Sequence, residues 1–171
     1  MEPIIIDIEA SGLGRGSYPI EVGVALPGGE THCMIIRPPD EWQHWDRDAE
    51  ALHGISRDTL MNHGSEPEVV ARQLNRWLAE QVVYSDAWGN DSTWLALLYE
   101  CAGLSRHFQV ESLRSLLTDE QVACWHEVKA QVVAESPWRR HRASNDALLL
   151  QQTYNRTAAL AADHSGAGRH L

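Results

Sequence analysis

The sequence predicts an α/β fold: a mixed five-stranded sheet, three antiparallel strands first and parallel strands after, with helices on both faces. Three observations lead there. Strand-like segments crowd the first 36 residues, separated by glycine-rich turns. From about residue 67 onward, stretches of helical periodicity alternate with short apolar runs. Antiparallel strands followed by strand–helix alternation require a mixed sheet with both faces covered.

Pro3–Ile8 reads as a buried strand, apolar until an acid interrupts it. Ala10–Ser17 is glycine-rich and reads as a turn. Ile20–Leu26 alternates as a second strand, Pro27-Gly28-Gly29 turns the chain, and Thr31–Ile36 returns as a third. Short helical pieces are expected near Ala49 and Ser56. Pro67–Glu80 carries an apolar stripe at Val70, Leu74, Trp77 and Leu78, the spacing of one helix face. Gln81–Ser85 gives a fourth strand, and a helix over Ser92–Cys101 is expected to open at Asp91 or Ser92. Phe108–Val110 supplies a fifth strand, and helices follow over Thr118–Ala134 and Ser144–Leu160. Residues 1–160 are read as a single domain and 161–171, small and polar, as a flexible tail.

Composition narrows the function. A chain of 171 residues with 43% hydrophobic and 22% charged residues has globular composition and buries a full core. No apolar run reaches the ~18 residues of a membrane span. The opening Met-Glu-Pro-Ile-Ile-Ile lacks the basic start of a secretory signal, so a cytoplasmic protein is expected. Cys33, Cys101 and Cys124 form no paired spacing, which argues against a zinc ribbon or a disulfide framework. Fourteen basic against 24 acidic residues give a net charge of −10, a surface that repels a polyanion. A nucleic-acid function then requires a short end gripped through divalent cations rather than a basic face.

Three clusters carry chemistry. Asp7 and Glu9 lie two apart on a strand, so both carboxylates leave one face and repel unless a cation stands between them. Oxygen donors of this kind suit Mg²⁺ or Mn²⁺. In the segment Tyr84–Leu95, Asp86 and Asp91 compete, and Asp91 is favoured by the helix that follows it. Near the C-terminus, His141 precedes a helix whose first turn holds Asp146, with Ser144 as its expected cap. Each cluster alone has an ordinary explanation: a solvated strand end, a helix cap, an acid favoured by a helix dipole.

The combination resembles the DEDDh branch of the DnaQ-like, or RNase T-like, 3′→5′ exonucleases of the ribonuclease H-like superfamily. Ile5-Ile6-Asp7-Ile8-Glu9-Ala10-Ser11-Gly12-Leu13 is similar to the family's first motif, and Ile20-Glu21-Val22-Gly23 to its second strand. Leu52-His53-Gly54-Ile55-Ser56 is similar to its His-Gly-Ile turn, and His141 with Asp146 to its last motif. The middle motif departs: Asp86-Ala87-Trp88-Gly89-Asn90-Asp91 stands where the family has a pattern like His-Asn-x-x-Phe-Asp.

The resemblance implies a two-metal 3′→5′ exonuclease using Mg²⁺ or Mn²⁺. Asp7 would bridge both ions, Glu9 and Asp146 would complete one ion's ligands, Asp91 would serve the other, and neutral His141 would accept the proton of the attacking water. The 3′-terminal nucleotide would be received at Ala10, Ser11, Gly12 and Leu13, with Leu13 as a wedge and His53 beside it. Implied partners are 3′ ends of DNA or RNA, single-stranded or short; no membrane is implied, and a homodimer stays open. Trp88 is expected to contact substrate. Trp42, Trp45 and Trp138 fall in loops from which rings could stack on bases, whereas Trp77 and Trp94 lie on helix stripes facing the core. The run Trp138-Arg139-Arg140-His141-Arg142 is placed for phosphate contact. A domain kept only as a nucleic-acid or protein binding module is the rival reading, and the presence of all five acid and histidine positions speaks against it.

Overall fold

A computed structural model describes residues 2–167, with side chains described for 2–163. Five strands, β1 (Ile4–Ala10), β2 (Pro19–Ala25), β3 (Thr31–Ile35), β4 (Val82–Ser85) and β5 (Gln109–Ser112), form one sheet in the order β3-β2-β1-β4-β5. β1–β2 and β2–β3 pair antiparallel, β1–β4 and β4–β5 parallel. This is the mixed sheet the sequence predicts. Six helices complete the chain: α1 (Arg47–His53), α2 (Arg57–His63), α3 (Pro67–Leu78), α4 (Trp88–Ala102), α5 (Asp119–Glu135) and α6 (Ala143–Ala167).

The pleat divides the core between the two faces of the sheet. Ile6, Ile8, Val22 and Val24 pack with Val70, Leu74, Leu95 and Leu98 of α3 and α4. Ile5 and Ala25 point the other way, toward Leu113, Trp125 of α5, and Ala147 and Leu150 of α6. Alternation along β1 therefore sends Asp7 and Glu9, which share a face with Ile5, toward the α5–α6 layer.

Four boundaries differ from expectation. β1 continues through both acids to Ala10, because β2 pairs with it as far as Glu9↔Glu21 and beyond a register shift. β5 lies at Gln109–Ser112 rather than Phe108–Val110. α4 opens at Trp88, not at Asp91 or Ser92. Its start is held from outside the helix: the Trp88 indole Nε1 donates to the Val110 carbonyl (2.9 Å), and Ser92 and Thr93 bond back to the Trp88 and Gly89 carbonyls instead of capping. α6 begins at Ala143 and runs to Ala167, past the Leu160 expected as its end. Of the tail expected at 161–171, residues 161–167 are helical and 168–171 lie outside the described residues. Trp42, placed by sequence in a loop near the site, is a core residue stacked on Tyr18 with ring centroids 5.2 Å apart. Trp94 is buried as expected, and Trp77 is half-buried against His32.

Candidate active site

The site forms where the first turn of α6 meets β1, and the residues of β2 make that meeting feasible. Gly23 lies opposite Asp7 in the β1–β2 register. A Cβ at Gly23 would fall 2.1 Å from the Ser144 amide nitrogen and 2.2 Å from the Ala143 carbonyl carbon. Only a residue without a side chain lets the helix start rest on the sheet at that point. Opposite Glu9 stands Glu21, fully buried. Its carboxylate accepts from the Ala143 N–H (2.9 Å) and from the Arg142 guanidinium, with Nη2 at 2.6 Å and Nε at 3.1 Å. Glu21 thus satisfies an unpaired amide of the new helix and a half-buried arginine together.

Asp146, in the first turn of α6, turns its carboxylate back over the preceding loop. It accepts from the backbone N–H of His141 (2.6 Å) and of Arg142 (3.2 Å), and forms an ion pair with Arg140 Nε. His141 has φ = +60°, a left-handed conformation rare outside glycine. The Asp146 bond to its amide holds this kink, which turns the ring into the cleft. Asp7, Glu9, His141 and Asp146 line that cleft, about 210 Å³ in volume, with Asp86, Lys129 and Arg140 at its rim.

Asp91 approaches from the other layer. It is buried in the first turn of α4 and accepts a hydrogen bond from Ser85 Oγ (2.5 Å) at the end of β4, the strand beside β1. Asp86 is exposed, and Lys129 Nζ binds it at 3.0 Å. After burial, the charge of Asp91 is the largest influence on Asp7 and that of Asp86 the smallest. Of the two rival acids, Asp91 is the one turned inward.

Crowding these acids has an electrostatic consequence. Burial, then Asp91, Glu9, Asp146 and Asp86, hold the Asp7 carboxyl well above the usual carboxylate range. Burial, reinforced by Asp146, Glu21 and Asp91 and opposed by Arg140, pushes Glu9 up to about 7. Asp91 also rises to about 7, chiefly from burial, with the Ser85 hydrogen bond working against it and Asp86 adding to it. The cleft is therefore short of positive charge, which Arg140 and Lys129 supply only in part. Glu9, His141 and Asp146 each offer a ligand atom, and these atoms lie within 4.8 Å of one another. The carboxylates fit a hard divalent cation by donor chemistry. The convergent trio includes the His141 ring, whereas Asp7 and Asp91 stand close enough to repel it electrostatically without belonging to it.

A second cavity, about 180 Å³, opens beside the first and shares Glu9 and His141 with it. Ala10, Gly12, Leu13 and His53 line it, four of the residues expected to receive a terminal nucleotide, together with Leu52 and Trp94, which sequence reasoning did not assign. Leu13 is 72% exposed, an apolar side chain held out in solvent at the cavity mouth. His53 is buried; its Nδ1 accepts from the Ile55 N–H (3.1 Å), and its Nε2 faces the Ala10 backbone without completing a well-formed hydrogen bond. Burial lowers its pKa, favouring the neutral ring. Ser11 does not line the cavity. Its amide donates to the Tyr18 carbonyl, its own carbonyl accepts from the Asp46 amide, and its hydroxyl serves Tyr18 N and His44 Nδ1. It builds the loop instead. Gly12 is needed in the same loop, since a Cβ there would meet Asp46 Cβ and His44 Cε1 at 2.7 Å. Trp88 is 46% exposed and lines neither cavity.

Glu21, Gly23 and Arg140 escaped assignment as site-building residues. An acid and a glycine inside an otherwise apolar strand were the available signal for the first two. Nothing local distinguishes Arg140 from its neighbours Arg139 and Arg142.

No family model matches the chain, and no curated protein matches it in sequence. In three dimensions it is similar to E. coli exonuclease I in a zinc-ion-bound complex with single-stranded DNA: TM-score 0.65, 11% identity, 92% of this chain and 40% of that one. It is similar likewise to E. coli exonuclease I with a dT13 oligonucleotide, at TM-score 0.66 and 11% identity over 91% and 40%. A further exonuclease I structure gives TM-score 0.67 and 12% identity over 87% and 39%. The fold is that of exonuclease I, ribonuclease H-like. The chain spans about two fifths of the length of those proteins. Among the described residues, no helix is long and apolar enough to cross a membrane.

Proposed function

We propose that this chain is a metal-dependent 3′→5′ exonuclease of the DEDDh type, a single domain over residues 1–160. Its substrates are the 3′ ends of single-stranded DNA or RNA and short oligonucleotides. The observation that carries the reading is the convergence of Asp7, Glu9 and Asp146 on one cleft, with Asp91 buried behind it where its charge acts on Asp7, and with the carboxyls of Asp7, Glu9 and Asp91 pushed upward by burial and neighbouring acids. Such a cluster is unfavourable to build and is explained by a cationic ligand. The exonuclease I fold supports the reading, as do structures of that protein with single-stranded oligonucleotides.

Two Mg²⁺ or Mn²⁺ ions held by these carboxylates would supply positive charge to the attacking water, the phosphoryl oxygens and the leaving 3′-oxygen. The rest falls to the protein. His141, set in the cleft by its left-handed backbone, is placed to take the proton of the attacking water on its ring nitrogen. The neighbouring cavity receives the terminal nucleotide: Leu13 packs against its base, and the Nε2 of neutral His53 donates to a sugar or phosphate oxygen. With a net charge of −10, the surface disfavours long duplexes and leaves attraction to the site itself.

Digestion of 3′-labelled single-stranded DNA, RNA and duplex DNA with Mg²⁺ or Mn²⁺ tests this. Mononucleotides should be released from single strands, and Asp7→Ala or Asp146→Asn should abolish release while leaving the circular dichroism spectrum unchanged. More than a few per cent of wild-type activity in either variant would remove the metal centre from the mechanism.

A further inference from the structure

A cavity of about 290 Å³ lies between the second half of α3 and the loop from α4 to β5, lined by Arg72, Asn75, Arg76, Leu104, Ser105 and His107. It stands at the end of the sheet where β4 and β5 begin. There the Glu80 N–H donates to the His107 carbonyl (2.8 Å), and the Gln109 N–H to the Gln81 carbonyl (2.9 Å). The acidic cleft lies at the other end of β4, where Asp86 follows Ser85, and the two cavities share no residue.

Helix spacing gives the cavity its charge. Arg72, Asn75 and Arg76 fall at i, i+3 and i+4, so they share one face of α3, and two like charges at that spacing repel. Arg72 meets Glu68 at 2.7 Å, an exposed pair that contributes little. Arg76 forms no ion pair among the described residues. Glu80, four residues on, would pair with it in a continued helix, but α3 ends at Leu78 and Glu80 adopts φ = +61° outside it. An arginine in a last turn is favoured by the helix dipole in any protein. What is not ordinary is that Asn75, between the two arginines, brings a histidine to them. The Asn75 Oδ1 accepts from the His107 N–H (3.0 Å) and the Tyr99 hydroxyl (2.8 Å), and its Nδ2 donates to the Ser105 carbonyl (2.9 Å). One side chain therefore ties the loop to the helix and fixes the cavity wall before any ligand arrives. Arg106 is no part of that wall: its Nε donates to the Phe108 carbonyl (3.1 Å) and its guanidinium covers the Phe108 ring. On a chain of net charge −10, two arginines and a histidine around one cavity are a local exception.

We propose that this cavity is an anion site for a phosphate monoester, held by the Arg72 and Arg76 guanidinia and by His107. A monoester carries a charge of about −1.5 to −2 at neutral pH and offers three acceptor oxygens, which suits two guanidinium forks. A phosphodiester within a strand carries a single charge and is the poorer match. Leu104 gives the remaining volume an apolar side. The phosphate can therefore belong to a nucleoside 5′-monophosphate or to the 5′-phosphorylated end of an oligonucleotide. The site is independent of the exonuclease reading, and its test needs no catalysis.

Isothermal titration calorimetry on the full chain in EDTA reads it directly, because the acidic cleft without metal repels phosphate. Inorganic phosphate and thymidine 5′-monophosphate should each bind at one site. Arg76→Glu should weaken both by about tenfold or more, the scale of a lost charge-assisted hydrogen bond, and Arg76→Gln and His107→Gln should act in the same direction. Arg47→Glu, the same charge change on an exposed arginine of α1, should leave binding within about twofold. In isotope-labelled protein, phosphate should shift the amide resonances of Asn75, Arg76, Ser105 and His107 and leave those of Glu9 and His141 in place. Two thymidylate tetramers separate the sources of the phosphate. Binding of the 5′-phosphorylated form alone assigns the site to strand ends, and binding of neither assigns it to free phosphates. No binding by the wild type at about 10 mM phosphate would overturn the site. So would shifts confined to other amides, a loss as large in Arg47→Glu as in Arg76→Glu, or equal binding of a tetramer that ends in a 5′-hydroxyl.

Discussion

Replacing Asp91 by asparagine removes a buried charge and keeps the shape, and the effect on stability depends on pH in a defined direction. Asp91 is 1% exposed, and its pKa rises from 3.8 to about 7 in the folded protein. Between those values the folded state retains a proton that the unfolded chain releases. Stability contributed by the neutral carboxyl is therefore complete below about pH 4, declines as pH rises, and is lost above about pH 7. A displacement of roughly three pH units corresponds to an upper bound of about 4 kcal/mol. Local relaxation and water entry reduce this to about 1–3 kcal/mol. The asparagine carbonyl still accepts from Ser85 Oγ, so the substitution leaves that donor satisfied. In EDTA at pH 8, Asp91→Asn should raise Tm by roughly 3–10 °C, taking about 2–4 °C per kcal/mol for a domain of this size. At pH 5 the gain should shrink to about two fifths, because the wild-type carboxyl is then protonated in the fold and only part of the linkage is expressed. Saturating Mn²⁺ should reverse the order, since only the wild type gains the full stabilisation of a bound ion. Scanning calorimetry at both pH values, with and without Mn²⁺, reads all three outcomes. No gain at pH 8, or an equal gain at pH 5, would refute the picture of an uncompensated carboxylate cluster.

Three further substitutions probe the cleft. Arg140→Gln should tighten Mn²⁺ binding in the absence of substrate by several-fold, because the guanidinium occupies the carboxylate of Asp146; titration calorimetry showing unchanged affinity would mean that Arg140 does not compete with the ion. His141→Ala should lose roughly 10²–10⁴ in rate with Mn²⁺ affinity nearly intact. Loss of the metal together with activity would make the ring a ligand, as its place beside Glu9 and Asp146 allows. Gly23→Ala should cost about 1–3 kcal/mol in thermal unfolding by lifting α6 from the sheet, and should weaken Mn²⁺ binding along with it; an unchanged Tm would contradict the contact with Ala143 and Ser144.

The sequence by itself determined the order of elements and the face on which the first two acids stand. A strand alternates sides every residue, so Asp7 and Glu9 had to emerge together, and Ile6 and Ile8 had to enter the opposite core whatever the rest of the chain did. The hydrophobic spacing of α3 was equally local, and the helix lies at Pro67–Leu78 within two residues of its expected end. Where a boundary depended on a distant anchor, local reading missed it. α4 starts at Trp88 because an indole finds the Val110 carbonyl, and Asp91 and Ser92, the expected openings of the helix, lie within its first turns.

Only the tertiary structure decided how the acids meet. Asp146 is more than a hundred residues from β1 in the chain, and its position comes from Gly23 leaving room and Glu21 binding the helix start. It also decided that Ser11 builds a loop rather than a pocket, and that Arg140 rather than Arg139 or Arg142 lies on the acidic cluster. The physical reason is one of range. Backbone geometry fixes the direction of a side chain from its immediate neighbours, whereas the repulsion and hydrogen bonding that give a carboxylate its chemistry depend on what packing brings within a few ångströms of it.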